Sequence, residues 1–304
     1  MIAPFGERLA EAVAGVGAPV AVGLDPHLEL YPAALRRTFE GRSGAEGRAA
    51  AAEAVRAFDA AALDALAGTV AAVKLQFAFY ERLGAPGWAA LEATAARARA
   101  LGLLVIADAK RGDISSTAAA YAYAALDPDG PLGCDALTVN PWMGFDTLQP
   151  FLRPCREAGR GLFVLVRTTN PGSADLQRYG APEAATRVAD AVHRLGEALR
   201  GPSGLSSVGA VVGALVSEEE QAALRARMPD AWFLVPGVGA QGAGPREALA
   251  GRRPDGLGSL VVASRSVLFG DGENPAEQAD LSEAIHARAA ALVSGVRDFL
   301  AATR

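Results

Sequence analysis

The residues best suited to chemistry in this chain are its two lysines, because nearly all of its other basic residues are arginines. Lys74 and Lys110 are the only lysines among 29 lysines and arginines. Arginine replaces lysine poorly where a compact ammonium group must give up a proton or fit closely against a ligand. The presence of lysine at these two positions therefore indicates a chemical role for both.

Acidic residues accompany both lysines. Asp108 lies two residues before Lys110, and Asp113 follows three residues after it. If a strand continues through these residues, the spacing of two directs Asp108 and Lys110 to the same side of it. The simpler alternative is a surface ion pair near a turn. Asp25 follows another apolar run, and Lys74 lies at the end of a third. An array of alternating charges is costly to bury unless each charge is paired, and such arrays typically mark functional sites.

These charged residues follow short apolar runs that alternate with alanine-rich segments of helical spacing. The runs predict strands at residues 20–24, 70–75, 103–107, 136–139, 162–166, 208–212, 232–235 and 260–263. The predicted helices include residues 48–66, 88–100, 181–199, 218–227 and 278–301. This alternation predicts an α/β fold, a single (β/α)8 TIM barrel over residues 1–304 with an extra helical insertion at about 27–68. A doubly wound sheet is the second possibility, but no Gly-x-Gly-x-x-Gly follows the first run.

The segments after the last two predicted strands favour a phosphate site. Gly237, Gly239 and Gly242 allow backbone N–H groups to approach an anion closely. Gln241 adds a side-chain amide donor, and Arg265 adds a guanidinium that can bind phosphate through two hydrogen bonds. Barrels of this kind commonly bind phosphate at the loops after strands seven and eight.

Composition excludes several classes of protein. With 51% hydrophobic and 21% charged residues, the chain has the balance of a soluble globular protein. The net charge of −5 and the absence of a basic stripe argue against a nucleic-acid partner. No apolar run is long enough to span a membrane, and the first residues do not resemble a secretory signal. The two cysteines and three histidines show no metal-ligand spacing, so we expect no metal and a cytoplasmic location.

Several segments taken together resemble the orotidine 5′-phosphate decarboxylase family, and the resemblance spans about residues 5–269. The most specific segments are Val22-Gly23-Leu24-Asp25-Pro26, Asp108-Ala109-Lys110-Arg111-Gly112-Asp113-Ile114 and Pro236-Gly237-Val238-Gly239-Ala240-Gln241-Gly242. A similarity to the longer bacterial (type 2) branch rests on Lys74-Leu75-Gln76, Leu137-Thr138-Val139-Asn140-Pro141 and Thr169-Asn170-Pro171-Gly172. The resemblance implies decarboxylation of orotidine 5′-phosphate to uridine 5′-phosphate, the last step of de novo pyrimidine biosynthesis. It also implies that the enzyme uses no cofactor and is a homodimer with shared active sites.

The resemblance also implies roles for individual residues. Lys110 stabilises the carbanion at C6 of the pyrimidine and protonates it, and Asp108 and Asp113 hold Lys110 charged and oriented. Asp113 reaches into the site of the partner subunit, with Ile114 and Thr117 beside it. The remaining substrate-binding residues are Lys74 and Asp25 at the ribose, Thr169 and Pro171 after strand five, and Gln241 and Arg265 at the phosphate.

Two other functions remain open at this point. One is a metal-dependent lyase of the same suprafamily, such as a 3-keto-gulonate-phosphate decarboxylase, which has an acidic metal ligand at the end of strand two. In this chain that place holds Lys74, whose charge repels Mg²⁺. The other is a barrel that binds nucleotides without catalysis, against which the intact set of Lys110 and its acidic neighbours argues.

Overall fold

The computed structural model describes residues 2–239, 242–270 and 278–303. Within them, eight parallel strands pair in chain order, and the last strand closes against the first to form a barrel. This confirms the predicted (β/α)8 fold. The strands are β1 (Val20–Leu24), β2 (Ala72–Gln76), β3 (Leu104–Arg111), β4 (Ala136–Val139), β5 (Gly161–Arg167), β6 (Val208–Val212), β7 (Phe233–Pro236) and β8 (Ser259–Ala263).

One helix precedes the first strand, and the others follow the strands and surround the barrel. They are α1 (Phe5–Val16), α2 (Ala33–Arg36), α3 (Gly44–Leu66), α4 (Phe77–Glu81), α5 (Ala85–Ala100), α6 (Ser115–Leu126), α7 (Gln149–Ala158), α8 (Ser173–Gln177), α9 (Ala184–Gly196), α10 (Glu218–Arg227), α11 (Pro245–Ala248), α12 (Arg265–Leu268) and α13 (Gln278–Ala302). The connection from β1 to β2 contains a 3-10 turn (Leu28–Leu30), α2 and the long helix α3. Helix α3 packs between α5 and α13, which closes the outer layer where the last strand meets the first.

The alternation of side chains along the strands separates an outer core from an inner one. On β2, Val73 and Leu75 belong to the outer core, which packs under the helices, whereas Ala72 faces the barrel interior with other inward residues. Lys74 and Gln76 continue the inward-facing series toward the carboxyl end of the strand. The interior is therefore apolar at its amino-terminal end and charged at its carboxyl-terminal end.

Helix α1, which is not among the helices predicted from the sequence, covers the amino-terminal end of the barrel. The Phe5 ring contacts the Phe163 ring edge-on at a centroid distance of 5.8 Å. Trp232 Nε1 donates a hydrogen bond of 3.1 Å to the carbonyl oxygen of Gly6. Buried apolar residues at Phe5, Leu9 and Val13 recur every four positions after Pro4, which is the sequence signal that would have revealed this helix.

Candidate active site

One pocket at the carboxyl ends of the strands contains most of the predicted charged residues. Its lining includes Asp25, Lys74, Asp108, Lys110 and Arg265. The strand register explains this convergence, because Lys74 on β2 lies beside Gly23 of β1 and Gln76 lies beside Asp108 of β3. Inward-facing residues of three neighbouring strands therefore reach the same level of the barrel mouth.

Asp108 is the centre of the array, because its carboxylate accepts from four side chains. Lys74 Nζ and Gln76 Nε2 lie 2.9 Å and 3.0 Å from Oδ2. Lys110 Nζ and Thr138 Oγ1 lie 2.5 Å and 2.9 Å from Oδ1. Each oxygen thus receives two donors, which fixes the orientation of the carboxylate completely.

The two lysines determine the charge state of this carboxylate. Burial raises the pKa of Asp108, but the charges and hydrogen bonds of Lys74 and Lys110 outweigh burial and hold that pKa well below its usual range. Burial likewise lowers the pKa of Lys74, and the charges of Asp108 and then Asp25 raise it well above the ordinary value. Lys74 and Asp108 are therefore both ionised at neutral pH.

Lys74 and Lys110 differ in their access to the pocket. The Lys74 side chain is 5% exposed, and its ammonium lies between Asp108 and Asp25, whose Oδ1 is 3.5 Å away. The Lys110 side chain is 43% exposed and pairs with Asp108 alone among the described acidic residues. Lys74 is thus held within the array, whereas Lys110 presents its ammonium group to the open pocket.

The opposite rim of the pocket is formed by residues after β7 and β8. Pro236, Gly237 and Val238 line it together with Ser264 and Arg265. Gly237 has φ of +115°, a conformation that favours glycine and turns the chain around the rim. Arg265 is exposed at the start of α12, a position from which its guanidinium can meet an anion. Gln241, predicted beside Arg265 at a phosphate, lies outside the described residues.

Asp113, Ile114 and Thr117 do not line this pocket in the single chain. Asp113 follows β3 and accepts a hydrogen bond of 2.7 Å from the N–H of Ile114, its own neighbour. Ile114 is 52% exposed although it is apolar, and Thr117 on α6 is also exposed. Asp113 is half-buried, Ile114 and Thr117 are exposed, and none of the three belongs to the wall of this pocket.

Thr169 and Pro171 lie in the connection from β5 to α8, outside the pocket lining. The Thr169 side chain contacts Gly213 so closely that an added Cβ at Gly213 would lie 2.6 Å from Thr169 Cγ2. The connection is held by Arg167, whose guanidinium donates to Ser173 Oγ at 2.8 Å and to Glu220 Oε1 at 2.6 Å. This loop is therefore preformed, with Thr169 half-buried and Pro171 exposed.

Sequence reasoning did not select Gln76 and Thr138, although both contact Asp108. Gln76 lies two residues after Lys74 on β2, and Thr138 is a polar residue within the apolar run of β4. The period of two that relates Asp108 to Lys110 applies equally to Lys74 and Gln76. A polar side chain in a strand covered on both sides is the signal that would have identified Thr138.

No group of three or more His, Cys, Asp or Glu side chains in residues 2–239, 242–270 and 278–303 is arranged to hold a metal ion. None of the helices described is both long and apolar enough to cross a membrane.

A closed (β/α)8 barrel with paired lysines and aspartates at the carboxyl ends of its strands is the architecture of a barrel enzyme. Residues 19–280 match the family model described as orotidine 5′-phosphate decarboxylase / HUMPS family. The chain belongs to the orotidine 5′-phosphate decarboxylase / HUMPS family.

Individual relatives agree with this assignment. The orotidine 5′-phosphate decarboxylase of Deinococcus radiodurans is 49% identical over 211 residues, which are 69% of this chain and 75% of that protein. The protein of the same name from Rhodopirellula baltica is 40% identical over 271 residues, 87% of this chain and 88% of its own length. The structure of Leishmania donovani OMP decarboxylase superposes with a TM-score of 0.68 at 32% identity and covers 94% of this chain and 98% of that one.

Proposed function

We propose that this protein decarboxylates orotidine 5′-phosphate to uridine 5′-phosphate and CO2 without a cofactor, as the last step of de novo pyrimidine biosynthesis. The observation that carries the proposal is the position of Lys110. Its ammonium group is partly exposed in the pocket and lies 2.5 Å from a carboxylate that four donors hold in place. Family membership supports the same reaction.

The proposed reaction needs a cation at one carbon atom. The bond between C6 and the carboxylate carbon breaks, CO2 leaves, and the electron pair stays on C6 as a carbanion with little delocalisation into the ring. The Lys110 ammonium stabilises this charge as it develops and then donates a proton to C6, and solvent reprotonates the amine. Asp108 holds the ammonium in place and lies on the side from which the substrate carboxylate departs.

The other lining residues bind the parts of the substrate that do not react. Lys74 and Asp25 offer an ammonium and a carboxylate to the ribose hydroxyls. Arg265, with Gln241, binds the phosphate across the pocket. Thr169 and Pro171 belong to the preformed loop after β5. We propose that these two residues contact the pyrimidine. Binding energy from the remote phosphate can then be realised in the transition state.

We propose further that two copies of the chain complete each other's sites. Asp113 and Thr117 carry polar groups that do not line the pocket of their own chain, and Ile114 between them is an exposed apolar residue. An exposed apolar side chain between two polar ones suits a contact with a second subunit. In the proposed homodimer this segment enters the neighbouring pocket, where Asp113 joins the array around Lys110.

The test is a direct assay of the loss of orotidine 5′-phosphate absorbance by the purified protein, with and without EDTA. We expect conversion at the same rate in both conditions, because the Lys74 ammonium occupies the place of a metal ligand beside Asp108. Loss of activity with EDTA and recovery with Mg²⁺ would support the metal-dependent lyase. Binding of uridine 5′-phosphate without turnover would support a non-catalytic nucleotide-binding barrel.

A further inference from the structure

The part of β3 that carries Asp108 and Lys110 departs from regular pairing with β4. Pairing is regular up to Ala107 and resumes at Arg111, so three residues of β3 lie opposite Thr138 alone. Lys110 is the last of the three and has φ of +48°, in the left-handed region that residues other than glycine rarely adopt. Such a conformation costs free energy and persists only where the surroundings enforce it.

The Thr138 hydroxyl supplies the enforcing contacts. The backbone N–H of Lys110 donates to Thr138 Oγ1 at 2.9 Å, and Thr138 Oγ1 lies 2.9 Å from Asp108 Oδ1. A backbone N–H can only donate and a carboxylate can only accept, so the hydroxyl accepts from Lys110 and donates to Asp108. Thr138 has no exposed surface, and water therefore does not compete for either bond.

The two ends of this relay meet again at the ammonium group. Lys110 Nζ donates to the same Asp108 oxygen that accepts from Thr138. One hydroxyl thus fixes the backbone of Lys110 and the carboxylate that holds its side chain. We infer that Thr138 is a positioning residue that sets where the Lys110 ammonium stands in the pocket. This inference rests on the proposed function and extends it to a residue that cannot itself touch the substrate.

The test compares Thr138→Val, which replaces the hydroxyl with a methyl group of similar size, with the wild-type enzyme. Loss of a hydrogen bond to a charged group should lower kcat by roughly 10- to 100-fold. The affinity for uridine 5′-phosphate, measured by calorimetry, should stay within about twofold, because Thr138 lies behind the pocket wall. Thr138→Ser keeps the hydroxyl and should restore most of the activity.

A matched control is Thr94→Val, which removes another buried hydroxyl that donates to an aspartate, Asp59, at 2.9 Å. Thr94 lies on α5, away from the pocket, so this variant should lose stability and keep its kcat. If Thr138→Val does not fold, Thr138→Ala serves in its place. An unchanged kcat for the variant without the hydroxyl overturns the inference. So does an equal loss in Thr138→Ser, or a loss of product affinity that matches the loss of kcat.

Failure of the proposed function can be told apart from failure of this inference. A wild-type protein that does not convert orotidine 5′-phosphate contradicts the proposed function alone. A crystal structure of Thr138→Val then tests the positioning role. In it, the Lys110 ammonium should be displaced from Asp108. A Lys110–Asp108 pair unchanged from the wild type would contradict the inference whatever the activity.

Discussion

Replacing Asp108 by asparagine should destabilise the fold chiefly because it leaves Lys74 charged and buried. The Lys74 side chain is 5% exposed, and Asp108 is its closer acidic partner, at 2.9 Å against 3.5 Å for Asp25. Removal of one partner from a buried ion pair costs about 3–5 kcal/mol, and the remaining pair with Asp25 favours the lower end, about 3 kcal/mol. An asparagine NH2 at this position would also face the donors of Lys74 and Gln76 or of Lys110 and Thr138.

Urea unfolding at pH 7 of the wild type, Asp108→Asn and Lys110→Met measures this cost. Lys110→Met should lose under about 1 kcal/mol, because its side chain is 43% exposed and Asp108 keeps three other donors. Adding Lys74→Met to Asp108→Asn should restore most of the lost stability. The reasoning is wrong if Asp108→Asn is as stable as the wild type, or if the double variant is no more stable than Asp108→Asn.

The pH dependence provides a second check on the same variant. In the wild type the charges of Asp108 and Asp25 raise the pKa of Lys74 above the ordinary 10.5. The contribution of the charged Lys74 to the stability of the fold is therefore fully present below that pH. Without Asp108, burial favours the neutral amine, the unfolded state binds more protons, and stability rises with pH. The stability difference between the wild type and Asp108→Asn should therefore shrink between pH 7 and 10, and a constant difference would contradict the account.

Three further predictions concern the phosphate, the core and the subunit contact. Arg265→Ala should weaken transition-state binding of orotidine 5′-phosphate by about 1.5–3 kcal/mol, which lowers kcat/KM by roughly 10- to 100-fold. The kcat/KM for the nucleoside without the phosphate should not change. An equal loss on both substrates would exclude Arg265 as the phosphate ligand. Burial raises the pKa of Asp59 to about 7, so the native state holds a proton that the unfolded state releases, and stability should fall by up to about 4 kcal/mol as pH rises from 4 to 7. Urea unfolding across that range should give a flatter profile for Asp59→Asn, and parallel profiles would contradict the assignment. Equal mixing of inactive Lys110→Ala and Asp113→Ala subunits should restore roughly a quarter of wild-type activity, and no recovery after verified subunit exchange would place Asp113 in its own subunit's site.

The sequence was sufficient to predict the strands and the end of the barrel at which the charges meet. Strands covered on both sides are nearly all apolar, so each of the eight runs stands out from the surrounding helices. Polar residues at or just after the carboxyl ends of such runs all lie at one end of a parallel barrel, which is why Asp25, Lys74, Asp108 and Lys110 were expected together. The composition strengthened this expectation, because only two lysines occur among 29 basic residues.

The details that place Lys110 depend on contacts the sequence does not reveal. The simple alternation of a strand predicts that Asp108 and Lys110 share a side, and they do meet. They meet, however, through a local bulge and a left-handed Lys110, which depend on the pairing with Thr138 of β4. The preformed loop after β5 also depends on a contact that the sequence does not reveal. Arg167 fixes it by pairing with Glu220 of α10, more than fifty residues away.

The substitution Lys110→Arg distinguishes whether Lys110 both stabilises charge at C6 and delivers a proton to it, or supplies charge alone. Arginine keeps the positive charge beside Asp108 but lacks a compact group that gives up a proton near neutral pH. The measurement is turnover of orotidine 5′-phosphate by the folded variant and by the wild type in parallel. If Lys110 delivers the proton, turnover should fall by at least about 100-fold while the variant still binds uridine 5′-phosphate. Activity within about tenfold of the wild type would contradict it, because Lys110 would then supply charge alone.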